Sequence, residues 1–253
     1  MKKNQVLKNL TGAIIPAALF ALWILLSESG RFSPIIMPTI KEIGNSLIES
    51  ITNGTIALDL KVSFLIVIRG YAIGATAGLL LGTVMGISGT VNRLFAPMFN
   101  AVRQIPPLAW IPLLILWVGI GDMAKIILIS VGVFFPVLLN TISGISEVST
   151  SYLEFAKNYK IKKKDILLKI LIPGAAPTIF VGLRLGAGTA WMSIVAAEMI
   201  AAVAGVGYRI NAARNLLQTS QVIVYMVLIG VIGGLMDTLI RKIGGLAVKW
   251  REP

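Results

Sequence analysis

The chain has 253 residues, 56% of them hydrophobic and only 13% charged, with a net charge of +12 and a mean hydropathy of +0.86. A soluble domain carries about a quarter charged residues, whereas here apolar runs of about 20 residues, enough to cross a bilayer as helices, recur throughout, so the chain reads as an all-α polytopic membrane protein. The absence of cysteine and histidine excludes disulfides, thiolate chemistry, Ser-His or Cys-His nucleophiles and His-ligated metals, and in a membrane protein the excess of Lys and Arg reports loop topology rather than nucleic-acid binding.

The basic head MKKNQVLKNL precedes the apolar run TGAIIPAALFALWILL without a small-residue cleavage site, which predicts a retained first helix over roughly 10–27. An extramembrane stretch follows to residue 61. Its segment TIKEIGNSLIESI places Ile40, Ile43, Leu47 and Ile51 three and four apart, the pattern of an amphipathic helix on the outer membrane surface or of a packed connecting helix. The chain therefore divides at the sequence level into an N-terminal part, 1–61, and a core, 62–253, with a cytoplasmic loop over 145–177.

The second apolar segment, roughly 62–88, repeats glycine at every fourth position: Gly70, Gly74, Gly78, Gly82 and Gly86. Glycines at this spacing line one helix face and let a second backbone approach closely. The third segment, roughly 95–118, contains Arg103, Pro106, Pro107 and Pro112; prolines at membrane depth are tolerated where the freed carbonyls are buried in protein or face water. The tight turn GIGD leads to a fourth segment, roughly 123–143, then the lysine-rich loop. A fifth segment covers roughly 178–203, polar residues follow over 204–221, and a sixth covers roughly 222–241.

Six spans with both termini cytoplasmic put fifteen Lys and Arg inside against six outside, the expected bias. There is no phosphate-binding Gly-Lys loop and no paired carboxylate suited to acid–base catalysis, so no active site is expected in this chain. Ionisable residues inside a bilayer mark functional sites or buried pairs. Glu198, in SIVAAEMIAA, is the clearest case and invites pairing with Arg69; Arg184 lies near the start of the fifth segment, and Asp237 sits four residues before Arg241 as a local helix pair. The Pro106–Pro107 bend, Trp191 and Glu198 are the candidates for a translocation pathway.

The loop itself reads EFAKNYKIKKKDILLKILIP, with six lysines in twenty residues. It resembles the EAA loop of ABC importer permeases, E-A-A-three residues-G-nine residues-I-x-L-P, with Glu154, Ala156, Ile170 and Pro173 in register. Phe155 replaces the first alanine, Lys160 the glycine and Ile172 the leucine. The resemblance extends along the chain. SPIIMPT is similar to S-P-x-x-x-P-T, RQIPPLAWIPLLILWVGIGDMAKI to the family's R-P-I-P-P-L-A run, and GLRLGAGTAWMSIVAAEMIAAVAGVGYRI to its G-x-R…A-W…A-E-M and G-L-G-Y elements. These point to the nitrate, sulfonate and taurine branch of the binding-protein-dependent permeases.

The resemblance implies the type I ABC importer permease fold with about six transmembrane helices. It implies two permease chains, by default a homodimer, an extracytoplasmic solute-binding protein, and ABC ATPase subunits; ATP and magnesium are held by those subunits and not by this chain. The loop then acts as a coupling helix through Glu154, Phe155, Ala156, Lys160, Ile161 and Pro173. A secondary transporter or channel using Glu198 and Arg69 as an ion relay is the rival reading. Glu154→Lys is expected to abolish solute-stimulated ATPase activity without affecting membrane insertion; unchanged coupling in that variant contradicts the assignment.

Overall fold

The computed structural model describes residues 2–148, 159 and 161–247, which are helical with short connections and hold no strand. They fall into two compact units, Met1–Leu58 with Arg209–Leu228, and Asp59–Tyr208 with Ile229–Pro253. In chain order the long elements are α1 (Lys2–Glu28), α2 (Ile40–Thr52), α3 (Thr55–Ile87), α4 (Gly89–Val102), α5 (Ile111–Val118), α6 (Asp122–Ser146), α7 (Ile172–Ala201), α8 (Val206–Asn215) and α9 (Thr219–Ala247).

Each of the six expected membrane segments corresponds to helix. Among the described residues four helices are individually long and apolar enough to cross a bilayer, namely α3, α6, the continuous stretch Lys164–Ala201 that contains α7, and α9. The third expected segment is not one rod. It is a pair of helical pieces, Gly89–Val102 and Pro107–Val118, whose axes meet at 83°. The apolar part of α1, Ile14–Glu28, is a shorter helix.

Helix extends beyond the apolar segments at two places. α3 begins at Thr55 rather than near 62, so Asp59 lies inside it together with Ser63, and both are buried. The polar stretch 204–221 between the fifth and sixth segments contains α8. The start of α2 is set by a capping box: Glu42 N donates to Thr39 Oγ1 at 3.3 Å, and Thr39 N donates to Glu42 Oε2 at 2.8 Å.

The core of the second unit is α6. Leu128, Ile129, Val133, Val137 and Leu138 along it are almost wholly buried. On one side it meets the glycine-lined face of α3. A methyl group built on Gly70 would fall 2.7 Å from Ile129 Cβ, on Gly78 2.8 Å from the Phe134 carbonyl oxygen, on Gly82 2.7 Å from Thr141 Cβ, and on Gly86 2.9 Å from Ile145 Cβ. Gly74 faces the Ser130 carbonyl and Val133 in the same way. Ser130 Oγ, whose nearer acceptor is the Ile126 carbonyl of its own helix at 2.7 Å, also lies 3.1 Å from the Gly70 carbonyl, an approach available only because the two backbones are this close. On the other side α7 supplies its own small residues: Gly182 and Gly186 face Asn140, Val133 and Val137, while Gly144 of α6 faces Ala175 and Thr178.

At Gly78 the obstacle is backbone, which cannot rotate away, so Gly78→Ala is expected to cost about 1–3 kcal/mol through overpacking despite alanine's better helix propensity. Gly230 of α9 has open space at the same point, and Gly230→Ala should be neutral or stabilising. Thermal unfolding of the two variants in detergent checks this; equal melting temperatures contradict it.

Candidate functional site

The segment VRQIPPLAW cannot continue a helix. Proline disfavours helical conformation in the residue before it and removes an amide, so α4 stops at Val102 and a 3-10 turn restarts at Pro107–Trp110. A further proline, Pro136, lies midway along α6. It withdraws the hydrogen bond that the Gly132 carbonyl would otherwise accept. Asn140 Nδ2 donates to the Pro136 carbonyl at 2.8 Å. Gly132 has no side chain to fill the space, and Thr189 and Pro107 approach within 3.1 and 3.8 Å of where its Cβ would be.

These interruptions leave a cavity of about 460 Å³ between the helix break and the middle of α6 and α7. Arg103, Pro107, Gly132, Pro136, Asn140 and Thr189 line it together with aliphatic and phenyl side chains, and Arg103 is the single charged residue in that lining. Thr189 Oγ1 donates its proton to the Leu185 carbonyl at 3.0 Å, so toward the cavity the hydroxyl offers acceptor lone pairs. The guanidinium and the amide N–H of Asn140 that is not used on Pro136 are donors within apolar walls and can hold a small anion reversibly. Discontinuous helices around a mid-membrane cavity are a recurrent way of building transport sites.

Of the expected pathway residues, Pro107 lines this cavity and Pro106 forms the exposed break beside it. Trp191 does not line it. Its indole is buried, donates Nε1–H to the Ile229 carbonyl at 3.1 Å and packs on Phe64 with ring centroids 5.4 Å apart. Glu198 does not line it either, and it is not paired with Arg69. Arg69 is exposed on α3, whereas Glu198 is 1% exposed at the far end of α7. Its carboxylate accepts from Ser63 Oγ at 2.7 and 2.9 Å and from Gly207 N at 2.9 Å. Ser63 Oγ in turn accepts from Val206 N at 3.1 Å, and Gly205 N donates to Asp59 Oδ1 at 3.4 Å. The amide groups that open α8 are therefore held by side chains of α3 and α7. Gly205, at φ 110°, adopts a conformation that L side chains avoid, and any Cβ there would run into the Glu198 carboxylate. Asp237 pairs across helices with Arg184, not locally with Arg241: Arg184 Nη2 lies 2.7 Å from Asp237 Oδ2, and Nε donates to the other oxygen.

Residues 74–244 match the family described as binding-protein-dependent transport system inner membrane component. The chain belongs to that family. It is the permease subunit of an ABC importer. The permease is 39% identical over 243 residues to a protein of Methanocaldococcus jannaschii named as an ABC transporter permease, covering 94% of this chain and 91% of the other. It is 34% identical over 241 residues to a Bacillus subtilis protein named as an aliphatic sulfonates transport permease, covering 95% and 87%. Its fold matches a chain of the MetNI methionine ABC transporter in an inward-facing conformation, with TM-score 0.64, 19% identity, and coverage of 73% of this permease and 92% of that chain.

Of the expected coupling residues, Glu154, Phe155, Ala156 and Lys160 lie outside the described residues. Ile161 is exposed, and Pro173 occupies the first turn of α7. A proline there cannot bond back to the carbonyl four residues before it, and its ring crowds that carbonyl. The chain answers with a π turn over Leu167–Leu171, in which Ile172 N donates five residues back to Leu167 O. This turn is anchored by Leu171, packed with Ile145 and Ala175, so the end of the loop is attached to α6 as well as to α7.

Removing Glu198 strands buried donors on Ser63 and Gly207, and Glu198→Ala is expected to cost about 3 kcal/mol or more. Glu198→Gln keeps one acceptor oxygen and should cost clearly less. Thermal unfolding of the purified permease distinguishes them; identical, wild-type melting of both contradicts this role for the Glu198 carboxylate.

Proposed function

We propose that the permease carries a small anion, of the size and chemistry of a sulfonate, through the cavity at the helix break, with Arg103 as its counter-charge. The observation that carries this reading is the placement of one guanidinium as the single charge lining a cavity against the middle of two membrane-spanning helices. An ion there is costly unless something compensates it, and an anionic solute does. The sulfonate permease relative supports the same solute class.

The working assembly in this reading contains two permease copies, two ABC ATPase subunits that bind ATP and magnesium, and an extracytoplasmic solute-binding protein. The loop 145–177 meets the ATPase through Glu154, Phe155, Ala156, Lys160 and Ile161, and Pro173 with the π turn passes movement into α7. Support comes from the family and from the anchorage of the loop's end to both α6 and α7. Both termini face the cytoplasm. The helix break removes Arg103 from the cytoplasmic turn, and fourteen Lys and Arg then remain inside against six outside.

Arg103→Gln, in the full complex reconstituted in proteoliposomes, is expected to lower the maximal rate of ATP-driven uptake of an alkanesulfonate about tenfold or more, the effect of losing a charged hydrogen bond. Arg103→Lys should retain part of it. Wild-type uptake in Arg103→Gln overturns the assignment.

A further inference from the structure

α2 is amphipathic, and its apolar face is exposed along with its polar one. On a water-soluble protein such a helix buries its apolar stripe and shows its polar face to solvent. Here Ile48 and Ile51 are 62% and 59% exposed, with Ile40 and Leu47 exposed beside them, while Ser50 on the other face is 4% exposed. On a helical projection at 100° per residue, Leu47, Ile40, Ile51 and Ile48 form one continuous outward arc. The polar arc, Glu42, Asn45, Ser46 and Glu49, turns toward a cavity of about 540 Å³. Arg209, Gln218 and Gln221 face it from the opposite side, and no apolar residue lines it.

We propose that α2 is a partition, with its Ile and Leu face against lipid acyl chains and its polar face against a water-filled cleft. The outward arc of α2 carries only aliphatic side chains at its centre, without the aromatic or arginine anchors that mark protein interfaces, and Ile35, Ile36 and Leu58 of the same unit are exposed as well. The cleft has room for on the order of ten waters, and a cavity walled by carboxylates, amides and hydroxyls fills with water rather than staying dry. Lipid is thus the occupant of one side and water of the other. The side of the membrane on which the cleft opens rests on the orientation given above, with the α1–α3 connection outside; the partition itself does not.

The chain has no native cysteine, so single cysteines at four exposed α2 positions can carry nitroxides in the full-length permease reconstituted with its partners. Collision rates with oxygen, which concentrates in acyl chains, and with the water-soluble complex NiEDDA are then compared by electron paramagnetic resonance. Labels on Ile48→Cys and Ile51→Cys should favour oxygen, and labels on Asn45→Cys and Glu49→Cys should favour NiEDDA, so that the ratio inverts across the helix. NiEDDA-dominated relaxation at all four positions, oxygen-dominated relaxation at all four, or shielding of positions 48 and 51 from both reagents overturns the proposal. Because the readout does not depend on sidedness, the inverted ratio stands even if a membrane-impermeant thiol reagent reaches Asn45→Cys only in inverted vesicles, a result that would overturn the orientation alone.

Discussion

Helices immersed in lipid gain little by hiding aliphatic side chains from one another, because the surrounding acyl chains are equally apolar. What holds them is dispersion between closely apposed backbones, together with the few polar bonds that such closeness permits. In this permease α6 is the helix that receives this contact from both sides. Five glycines of α3 meet it along one face, and Gly182 and Gly186 of α7 along another. Ser130 Oγ of α6 comes within 3.1 Å of the Gly70 carbonyl through the same proximity, and Tyr71 of α3 donates to the Leu183 carbonyl of α7 at 3.1 Å. Remaining functional features occupy places where this close packing stops.

It stops in two ways. Around Pro136 and the 103–107 break, missing amides and missing side chains open a cavity beside a single arginine. At the far end of α7, the packing gives way to a buried polar cluster in which Asp59, Ser63 and Glu198 hold the first amides of α8. The two regions divide the ionisable residues by task. Arg103 is left accessible to an incoming charge, whereas Glu198 is occupied by donors from its own chain. This division separates the permease from a relay of exchangeable protons between Glu198 and Arg69, which are not brought together.

What the sequence made legible was periodic or covalent in origin. The glycine repeat of α3 is a one-dimensional pattern that maps directly onto one helix face, and the Pro106–Pro107 pair forbids a straight helix whatever surrounds it. The family motifs made the fold class and transport role readable. Partners distant along the chain were not legible. Ser63 and Glu198 are 135 residues apart, and nothing local marks Ser63 as the ligand for that carboxylate. Asp237 had an eligible arginine one turn away at Arg241, and the competing Arg184 on another helix won because it offers two parallel bonds. α8 escaped notice because YRINAARN has no apolar period; its beginning is fixed instead by side chains of α3 and α7. The cavity residues Asn140 and Thr189 look like ordinary polar residues within apolar segments, and only Pro136 and Gly132 nearby hint that they would face space rather than a neighbour.

Solute passage through the cavity beside Arg103 is the central claim, and chemical modification under transport tests it most directly. Thr189→Cys introduces the chain's single thiol into the cavity wall without touching Arg103. In the reconstituted importer, a small anionic methanethiosulfonate is predicted to stop ATP-driven uptake in this variant and not in the wild type, and saturating solute should protect against the block. Full modification of Thr189→Cys with uptake unchanged would contradict the account.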